Sequence, residues 1–278
     1  MFNGQMLNGG TLLLVGCGKM GGAILQGWLD SGLSGSQVTI VDPSASADYL
    51  TPFKDQGVIA VENLSAVHAD LSPALVMFAI KPQMMDDAIG NYQRFVSSDT
   101  VFLSVVAGKK ISFYETNLGA EAAIVRTMPN TPAAVSRGMT VLFANRQVSD
   151  QQKKSCQDLM AAVGETAWLD NEEQIDAVTG VSGSGPAYIF LMAECLAQAG
   201  IDAGLPENLA RKLAHATVSG AGELIHQSDE APTQLRINVT SPNGTTQAGL
   251  EVLMTDNGLQ SLMSKAVAAA TNRSKALS

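Results

Sequence analysis

The sequence predicts an α/β domain followed by an all-α domain. In the first part of the chain, short β-rich segments alternate with helical stretches, which is typical of a doubly wound sheet. The segments nearest the start are continuously apolar, as parallel strands buried on both faces are. After Asp170 the strand signals nearly disappear. We therefore predict one domain over residues 1–169 and a second over residues 170–278.

The same pattern gives the individual elements. The predicted strands are Thr11–Val15, Val38–Val41, Val58–Val61, Leu75–Ile80, Val101–Val105, Ala123–Arg126, Met139–Phe143 and Thr166–Leu169. The predicted helices are Met20–Ser31, Met84–Phe95, Gln151–Val163, Pro186–Ala199, Pro206–His226, Thr245–Met254 and Leu259–Ser274. Ser149 and Gln152 have the spacing of a capping box before the third helix. Asp170 and Glu173 have the same spacing before a further helical stretch.

Composition and charge exclude several classes of partner. A chain of 278 residues with 46% hydrophobic and 15% charged residues is typical of a globular protein. Its formal net charge is −9, and Lys109-Lys110 and Lys153-Lys154 are isolated basic pairs. Because phosphate binding needs a stripe of Lys and Arg, we expect neither nucleic acid nor an anionic membrane surface as a partner.

The cysteines and the first residues bear on the compartment. Cys17, Cys156 and Cys195 are odd in number and form no C-x-x-C pair, so we expect neither a disulfide framework nor a zinc site. This fits a reduced, cytoplasmic compartment. The first ten residues have neither a basic n-region nor a long apolar h-region, so we expect no signal peptide. No run of about 18 apolar residues predicts a membrane span.

The aromatic residues are unevenly distributed. Phe190 is the last of them, so the final 88 residues (278 − 190) contain no Phe, Tyr or Trp. That segment is rich in small side chains that allow helices to approach closely but bury little area in one chain. We therefore expect its core to be completed by a second subunit.

A glycine motif follows the first predicted strand. Gly16, Gly18 and Gly21 match G-x-G-x-x-G, and the motif opens the helix that begins at Met20. In this context the pattern indicates a Rossmann-type dinucleotide-binding domain, with Lys19 at the helix N-terminus that receives the pyrophosphate. The alternative is an ordinary strand-to-helix turn. Cys17 occupies a variable position of the motif, and we interpret it as a filler rather than a nucleophile.

The choice of cofactor turns on Asp42, which ends the second strand. A carboxylate at this place favours the ribose 2′-hydroxyl of NAD and repels the 2′-phosphate of NADP. Ser44 and the nearby backbone remain able to bind that phosphate. Alternatively, Asp42 caps the Asp-Pro-Ser turn, and the sequence leaves the two interpretations open.

Two further segments end strands at the same predicted edge of the sheet. Ala79–Pro82 places Lys81 either toward a cofactor or in solvent, and the residue type alone favours solvent. Ser104–Gly108 has small side chains that leave room for a ring.

Arg126–Pro132 contains two prolines, which predict a stiff loop able to cover a site. Val181–Tyr188 is a small-residue turn before a helix, where Pro186 is suited to the first helical turn.

The segment Thr240–Thr246 is the candidate substrate site. It is a turn-rich run with four hydroxyl side chains that leads into a helix, so backbone N–H groups and hydroxyls can bind a small carboxylate. A plain N-cap with a tight turn is the alternative.

The sequence has neither a Walker A pattern nor a G-x-S-x-G elbow, and its three histidines show no metal-like spacing. An alcohol dehydrogenase needs a base that removes the hydroxyl proton, whereas an enzyme that reduces an imine needs less help from acid–base groups. The lack of an obvious histidine base in the sequence therefore favours C=N chemistry.

Together these motifs resemble the pyrroline-5-carboxylate reductase family over nearly the whole chain, from Leu12 to about Ala276. The segments that carry the resemblance are Gly16–Gly21, Ala79–Pro82, Arg126–Pro132, Val181–Tyr188 and, above all, Asn238–Thr246. It implies an oxidoreductase that uses NADPH or NADH to reduce the C=N bond of 1-pyrroline-5-carboxylate, giving L-proline in the last step of proline biosynthesis. It also implies that the all-α domain is a dimerisation domain, that the chain forms homodimers, and that these can assemble into decamers.

The resemblance also assigns residues by motif. It implies that the substrate carboxylate is bound by Ser241, Gly244, Thr245 and Thr246, and that the catalytic hydroxyl near the ring nitrogen belongs to Thr246. The residues expected at the cofactor are Gly16, Gly18, Lys19, Met20, Gly21, Asp42, Asn63, Ala79, Ile80, Lys81, Pro82, Ala107 and Asn238. No metal is expected.

Asn243 is a departure from the family pattern, which usually has glycine at this position. Because Asn tolerates the left-handed conformation better than most residues, we expect the loop to keep its shape.

Two other functions remain as alternatives. One is an oxidoreductase resembling 3-hydroxyacid dehydrogenases, which would need a catalytic lysine among Lys212, Lys265 and Lys275. The other is an NAD(P)-binding regulatory protein without turnover.

Overall fold

A computed structural model describes residues 10–277 of the chain. The expectation about the first ten residues therefore lies almost entirely outside the described part. The described residues divide into two compact units. Unit 1 extends to Gly183 and includes the chain from Thr271 onward, and unit 2 is Ser184–Ala270. The domain boundary predicted between residues 169 and 170 stays a prediction, and the compact units divide further along the chain.

Unit 1 is built on one eight-stranded sheet. The strands are β1 Thr11–Val15, β2 Val38–Val41, β3 Ile59–Val61, β4 Pro73–Phe78, β5 Val101–Ser104, β6 Ala123–Met128, β7 Gly138–Ala144 and β8 Gly164–Trp168. Their order is β3-β2-β1-β4-β5-β6-β7-β8. Neighbouring strands are parallel except β6 and β7, which pair antiparallel. The order reverses between β1 and β4, and this switch point is where open α/β sheets bind ligands.

Both faces of the sheet are buried, as the continuously apolar strands predict. On β1, Leu12 and Leu14 belong to one apolar cluster, whereas Leu13 and Val15 belong to the other. All four side chains are at most 3% exposed. The doubly wound arrangement follows, because helices must cover each face to keep these side chains from water.

Six helices accompany the sheet. They are α1 Lys19–Asp30, α2 Ala47–Lys54, α3 Met85–Ala88, α4 Ile111–Leu118, α5 Asp150–Ala161 and α6 Ile175–Val178. Side chains of α1, α2 and α5 lie in the first apolar cluster, and those of α3 and α4 lie in the second. The Nε1–H of Trp28 on α1 donates to the carbonyl of Leu159 on α5 at 3.0 Å, which joins two helices on the same face. The capping box predicted at Ser149 and Gln152 is confirmed.

One predicted helix takes a different form. Residues Met84–Phe95 were expected to form a continuous helix, but only Met85–Ala88 is α-helical, flanked by 3₁₀ segments over Pro82–Met84 and Ile89–Phe95. Gly90 and Asn91 are poor helix formers, and the tighter 3₁₀ turn still buries Ile89, Tyr92 and Phe95. Likewise, the helical stretch after Asp170 begins with the 3₁₀ turn Glu172–Gln174, which leads into α6, and its cap is not Asp170 but Asn171, whose side chain accepts from the Glu173 N–H.

Unit 2 contains only helices. They are α7 Gly185–Asp202, α8 Glu207–Gln227, α9 Pro232–Asn238, α10 Thr245–Leu253 and the larger part of α11 Leu259–Leu277. Small residues bring α7 and α8 together, since a Cβ on Gly200 would lie 3.2 Å from the Cβ of Ala210. Within Ser184–Ala270, all of which is described, the buried apolar residues are three alanines: Ala197, Ala210 and Ala214. One copy of this unit therefore has almost no core of its own.

Candidate functional site

The carboxyl ends of six parallel strands, β1 to β6, meet at one edge of the sheet. Backbone hydrogen bonds continue the strand register into the following segments. Gly16 donates to Val41 at 2.9 Å, Ala79 to Val15 at 2.8 Å, Asp42 to Val61 at 3.1 Å and Val105 to Phe78 at 3.1 Å. The predicted segments after β1, β2, β4 and β5 therefore start side by side, around the switch point between β1 and β4.

The glycines of the motif serve three different purposes in the turn. Gly16 has φ +88°, and a Cβ there would lie 2.6 Å from Cγ2 of Ile80. A Cβ on Gly21 would collide with the carbonyl of Gly16, so the third glycine allows the helix to pack on the strand end. At Gly18, the N-cap of α1, a Cβ would have no heavy atom within 4 Å. Space at the second glycine and the N–H groups at the helix start are the two features that binding of a pyrophosphate requires.

These contacts predict that one alanine substitution weakens cofactor binding and that another weakens the fold. Gly18→Ala leaves the folded chain unchanged, because its Cβ meets open space, but weakens NAD(P)H binding by about tenfold, because the Cβ fills that space. Gly21→Ala lowers the melting temperature, because the carbonyl of Gly16 must move. Thermal unfolding and fluorescence titration with cofactor measure the two effects. Equal cofactor affinity in wild type and Gly18→Ala contradicts this account.

Asp42 holds the glycine turn and its own turn together. One oxygen of its carboxylate, Oδ2, accepts from the Cys17 N–H at 2.6 Å. The other, Oδ1, accepts from the N–H groups of Ser44 at 2.7 Å and Ala45 at 3.0 Å. The interpretation of Asp42 as a turn cap is therefore confirmed. Its contact with an adenine ribose stays a prediction, and one function does not exclude the other.

Cys17 lies beneath this turn and is 1% exposed. Burial, with a smaller contribution from the Asp42 carboxylate, raises the pKa of its thiol to about 12. The thiol is thus protonated at neutral pH, and a thiolate is the form that attacks electrophiles. The structure agrees with the interpretation of Cys17 as a filler.

The other residues of unit 1 that are expected at the cofactor follow strand ends at the same edge but differ in exposure. Ala79 and Ile80 are half-buried against the glycine turn, where a Cβ on Gly21 would lie 3.1 Å from the Cβ of Ala79. Lys81 and Pro82 are exposed, and so is Ala107. Asn63 is exposed after β3, and its side-chain oxygen accepts from the hydroxyl of Ser65 at 3.1 Å. Their roles at a cofactor stay predictions.

A buried polar cluster supports the end of β5. The hydroxyl of Tyr114 on α4 is hydrogen-bonded to that of Ser104, which also accepts from the Val106 N–H at 3.1 Å. The hydroxyl of Thr127 donates to the Ser104 carbonyl at 2.9 Å. Burial raises the pKa of Tyr114 to about 12, so its hydroxyl stays neutral. This cluster fixes the backbone that leads into Ala107.

An ion pair extends the cluster to the next strand. Nη1 of Arg126 on β6 lies 2.8 Å from Oε1 of Glu172, and the two side chains are 5% and 22% exposed. The same oxygen accepts from the Ile111 N–H at the start of α4, at 2.8 Å. Arg126 was expected at the end of a strand and at the start of a loop motif, and its pair with Glu172 was not predicted. A signal was present, because a charged residue within a buried strand needs a partner.

The loop that includes Arg126 is also tied down at its far end. The side-chain oxygen of Asn130 accepts from the Met139 N–H at 2.9 Å, at the beginning of β7. Its amide nitrogen donates to the hydroxyl of Ser182 at 3.2 Å, within the π-helical turn Thr179–Gly183. The loop predicted to be stiff is therefore held by side-chain hydrogen bonds as well as by its prolines.

In unit 2, the segment after α9 forms a tight turn before α10. The Gly244 N–H donates to the Ser241 carbonyl at 3.0 Å, and Gly244 is the N-cap of α10 without a side-chain cap. Asn243 has φ +58°, so the expected left-handed conformation is confirmed. Its N–H donates to Oε1 of Gln247 at 2.8 Å, which returns from the first turn of the helix. A Cβ on Gly244 would collide with the hydroxyl of Ser241.

This turn leaves the start of α10 open to a ligand. The first N–H groups of a helix have no partner within the helix, and here the cap residue is a glycine that contributes no side-chain acceptor. Thr245 and Thr246 are exposed at the first two helical positions. Donors and hydroxyls at a helix N-terminus can bind a small carboxylate.

Asn238 lies at the end of α9, and its side chain is engaged within unit 2. Its oxygen accepts from Nε2 of Gln234 at 2.7 Å, and its nitrogen donates to Oε2 of Glu230 at 2.9 Å. The expected role of Asn238 at the cofactor stays a prediction.

Neither a metal-binding cluster nor a membrane helix is found in the described part of the chain. No group of three His, Cys, Asp or Glu side chains suited to a metal ion occurs between residues 10 and 277. Over the same range, no helix has the length and apolar character needed to cross a membrane.

A sheet with this strand order and a glycine turn at its switch point defines a Rossmann-type dinucleotide-binding protein. Residues 11–108 match the family model described as NADP oxidoreductase coenzyme F420-dependent, and residues 172–277 match the model for pyrroline-5-carboxylate reductase dimerisation. The chain belongs to the pyrroline-5-carboxylate reductase family. The predicted fold class and the resemblance seen in the sequence are thus confirmed.

Curated relatives and solved structures cover nearly the whole chain. The pyrroline-5-carboxylate reductase of Synechocystis sp. is 39% identical over 95% of this chain and 97% of its own. That of Pseudomonas aeruginosa is 36% identical over 96% of each. The Coxiella burnetii structure superposes with a TM-score of 0.90 at 35% identity, covering 98% of this chain and 99% of its own. A Plasmodium falciparum pyrroline carboxylate reductase with NADP bound has a TM-score of 0.80 at 29% identity, covering the same shares.

Proposed function

We propose that the protein reduces the C=N bond of 1-pyrroline-5-carboxylate with NADPH or NADH, giving L-proline as the last step of proline biosynthesis. The observation that carries the proposal is the near-complete similarity to pyrroline-5-carboxylate reductases, which includes both the glycine turn and the loop before α10. A cytoplasmic location is part of the proposal and is supported by three free cysteines.

The cofactor half of the site is supported by the geometry of unit 1. The open space at Gly18 and the N-terminus of α1 suit a pyrophosphate, with Lys19 and Met20 at the first helical positions. We propose that Ala79, Ile80 and Ala107 make room for the nicotinamide end, and that Lys81, Pro82, Asn63 and Asn238 complete the lining. A nicotinamide cofactor, when bound, supplies the hydride.

The substrate half is supported by the turn before α10. We propose that the carboxylate binds the N–H groups of Thr245 and Thr246, whose helix dipole favours a negative charge. The hydroxyl of Ser241 and the close approach allowed by Gly244 complete the turn. This anchor uses no lysine or arginine, which fits a small monocarboxylate substrate.

The reaction places few demands on acid–base groups. The substrate reacts as the iminium, which forms by protonation of the ring nitrogen in solution. A hydride adds to its carbon, the π electron pair of the C=N bond moves onto the nitrogen, and the nitrogen keeps its proton as the secondary amine of proline. We propose that the hydroxyl of Thr246 hydrogen-bonds to this nitrogen and orients the ring. Positioning then supplies most of the rate.

A spectrophotometric assay separates the proposal from its alternatives. Loss of NAD(P)H absorbance with 1-pyrroline-5-carboxylate, run with each cofactor, supports imine reduction. Turnover of 3-hydroxy acids, with none of the imine, indicates a hydroxyacid dehydrogenase. Cofactor binding without turnover of either substrate class indicates a regulatory protein.

Self-association is the second part of the proposal, and unit 2 supports it. On α7, the successive residues Ile189, Phe190, Leu191 and Met192 are 46%, 62%, 57% and 40% exposed. Four successive residues point around the whole circumference of a helix. A helix that is apolar all round is normally buried. We propose a homodimer formed through this unit, which can assemble further into a decamer.

The dimer is expected to persist at micromolar concentration in sedimentation. Phe190→Glu shifts the chain toward monomer, because it places a charge on the exposed apolar face of α7. Lys153→Glu, on the exposed face of α5 in unit 1, makes the same kind of change and leaves the association unaffected. A stable wild-type monomer is incompatible with the proposal, and a decamer gives five times the dimer mass.

A further inference from the structure

The turn after β2 lies where an oxidoreductase of this fold distinguishes NAD from NADP. The two cofactors differ at the adenine ribose, which carries a 2′-hydroxyl in NAD and a 2′-phosphate in NADP. A carboxylate at the end of β2 accepts from the hydroxyl, whereas a nearby arginine accommodates the phosphate. Any selection made here rests on the proposed function, because it concerns which cofactor the proposed reductase uses.

The backbone donors of this turn are already engaged. Without other groups, a 2′-phosphate would bind the N–H groups of Ser44 and Ala45. Both of these donate to Oδ1 of Asp42, at 2.7 and 3.0 Å. The hydroxyl of Ser46 caps α2 by accepting from the Tyr49 N–H at 3.2 Å. A phosphate could reach the N–H groups of Ser44 and Ala45 only by displacing the Asp42 carboxylate, which leaves it the hydroxyls of the turn and no charged donor.

The charge of the turn also opposes a phosphate. From Asp42 to Phe53 the chain contains no Lys or Arg, and its charged residues are Asp42 and Asp48; Lys54 follows in the last turn of α2, at the opposite end of that helix from the turn. Glu62, which follows the adjacent strand β3, is exposed and adds a third negative charge at this edge. A dianionic phosphate beside Asp42 is repelled and no cation in the turn compensates, whereas the carboxylates of Asp48 and Glu62 are exposed and contribute less because solvent and salt screen them.

The same turn disfavours a phosphate but can bind a ribose hydroxyl. Asp42 is held in place by three backbone N–H donors, and its two oxygens together have about four acceptor positions. One position therefore remains for a 2′-hydroxyl. Because the same carboxylate holds the Cys17 N–H of the glycine turn, its orientation is fixed before the cofactor arrives.

We infer that this chain selects NADH over NADPH, and that Asp42 is the residue that determines the selection. The family model matched by residues 11–108 is described by NADP, and the P. falciparum structure holds NADP. The inference therefore separates this chain from that neighbour on the residues of its own β2–α2 turn.

Cofactor titration without substrate tests the inference directly. NADH and NADPH are titrated separately by nicotinamide fluorescence at fixed ionic strength, since charge repulsion is screened by salt. The wild type is expected to bind NADH at least about tenfold more tightly than NADPH. NADPH lacks the 2′-hydroxyl that donates to Asp42, and its 2′-phosphate is repelled by the same carboxylate. Equal affinities, or tighter binding of NADPH, overturn the inference.

Two substitutions assign the selectivity to a residue. Asp42→Asn removes the charge, and the ratio of the NADPH to the NADH dissociation constant falls by about tenfold. Asp48→Asn removes the same charge from the first turn of α2 and changes the ratio by less than about twofold. If Asp42→Asn merely loosens the glycine turn, both affinities fall together and the ratio is kept, which overturns the assignment.

The outcomes also separate this inference from the proposed function. Tighter binding of NADPH together with proline formation overturns the inference and leaves the function standing. Failure to bind either cofactor overturns both.

Discussion

Replacing Thr246 with alanine is expected to lower kcat/KM for 1-pyrroline-5-carboxylate by about tenfold to a thousandfold, as loss of a polar transition-state contact does. The residue is exposed in the first turn of α10, next to the open N–H groups proposed to bind the carboxylate. Its hydroxyl is proposed to hydrogen-bond to the ring nitrogen, where the electron pair of the C=N bond arrives. Steady-state kinetics with saturating cofactor measures the effect.

Thr246→Ser is the matched control, because it keeps the hydroxyl and removes only a methyl group. It is expected to retain most of the activity. NADH binding without substrate stays unchanged in both variants, which separates a defect at the imine from a defect at the cofactor. Wild-type kinetics in Thr246→Ala would rule out the proposed role.

Replacing Arg126 with alanine is expected to reduce the free energy of unfolding by about 3 kcal/mol, the lower end of the range for breaking a buried ion pair. The guanidinium lies 2.8 Å from Oε1 of Glu172, and its side chain is 5% exposed. The lower end applies because Glu172 is 22% exposed and keeps the Ile111 N–H as a partner. Without Arg126, a partly buried carboxylate loses its counter-charge.

Denaturant unfolding at fixed protein concentration measures this loss, since association stabilises the folded chain by mass action. Lys154→Ala is the control. It breaks the exposed pair with Asp158 within α5 and costs no more than about 0.5 kcal/mol. Equal losses for the two variants would mean that the Arg126–Glu172 pair contributes no more than a surface ion pair does.

The sheet was predictable from the sequence because each strand is a short apolar run between turn residues. All eight predicted strands correspond to strands of the structure, with ends displaced by a few residues. Three helices were not predicted. Of these, α2 contains Pro52 inside the helix, and α9 has only seven residues and begins at Pro232. The third, α4, is eight residues long. Helices this short give little periodic signal, and packing decides whether they form.

The sequence predicted the parts of the site that depend on local backbone conformation. The glycine turn and the left-handed Asn243 follow from residue type and position. The polar cluster around Arg126 and Tyr114 did not, because its partners lie on separate elements that only the folded sheet brings together. Asp42 was ambiguous for a physical reason: its carboxylate has enough acceptor positions to cap a turn and still bind a ribose.

Hydride transfer to the imine carbon is the central claim, and isotope transfer tests it most directly. The protein is incubated with 1-pyrroline-5-carboxylate and NADH or NADPH carrying deuterium at the transferable position of the nicotinamide, and the product is analysed by mass spectrometry and NMR. The account predicts L-proline with one deuterium on the ring carbon that was double-bonded to nitrogen. Recovery of unchanged imine with both cofactors, or proline without deuterium at that carbon, would contradict it.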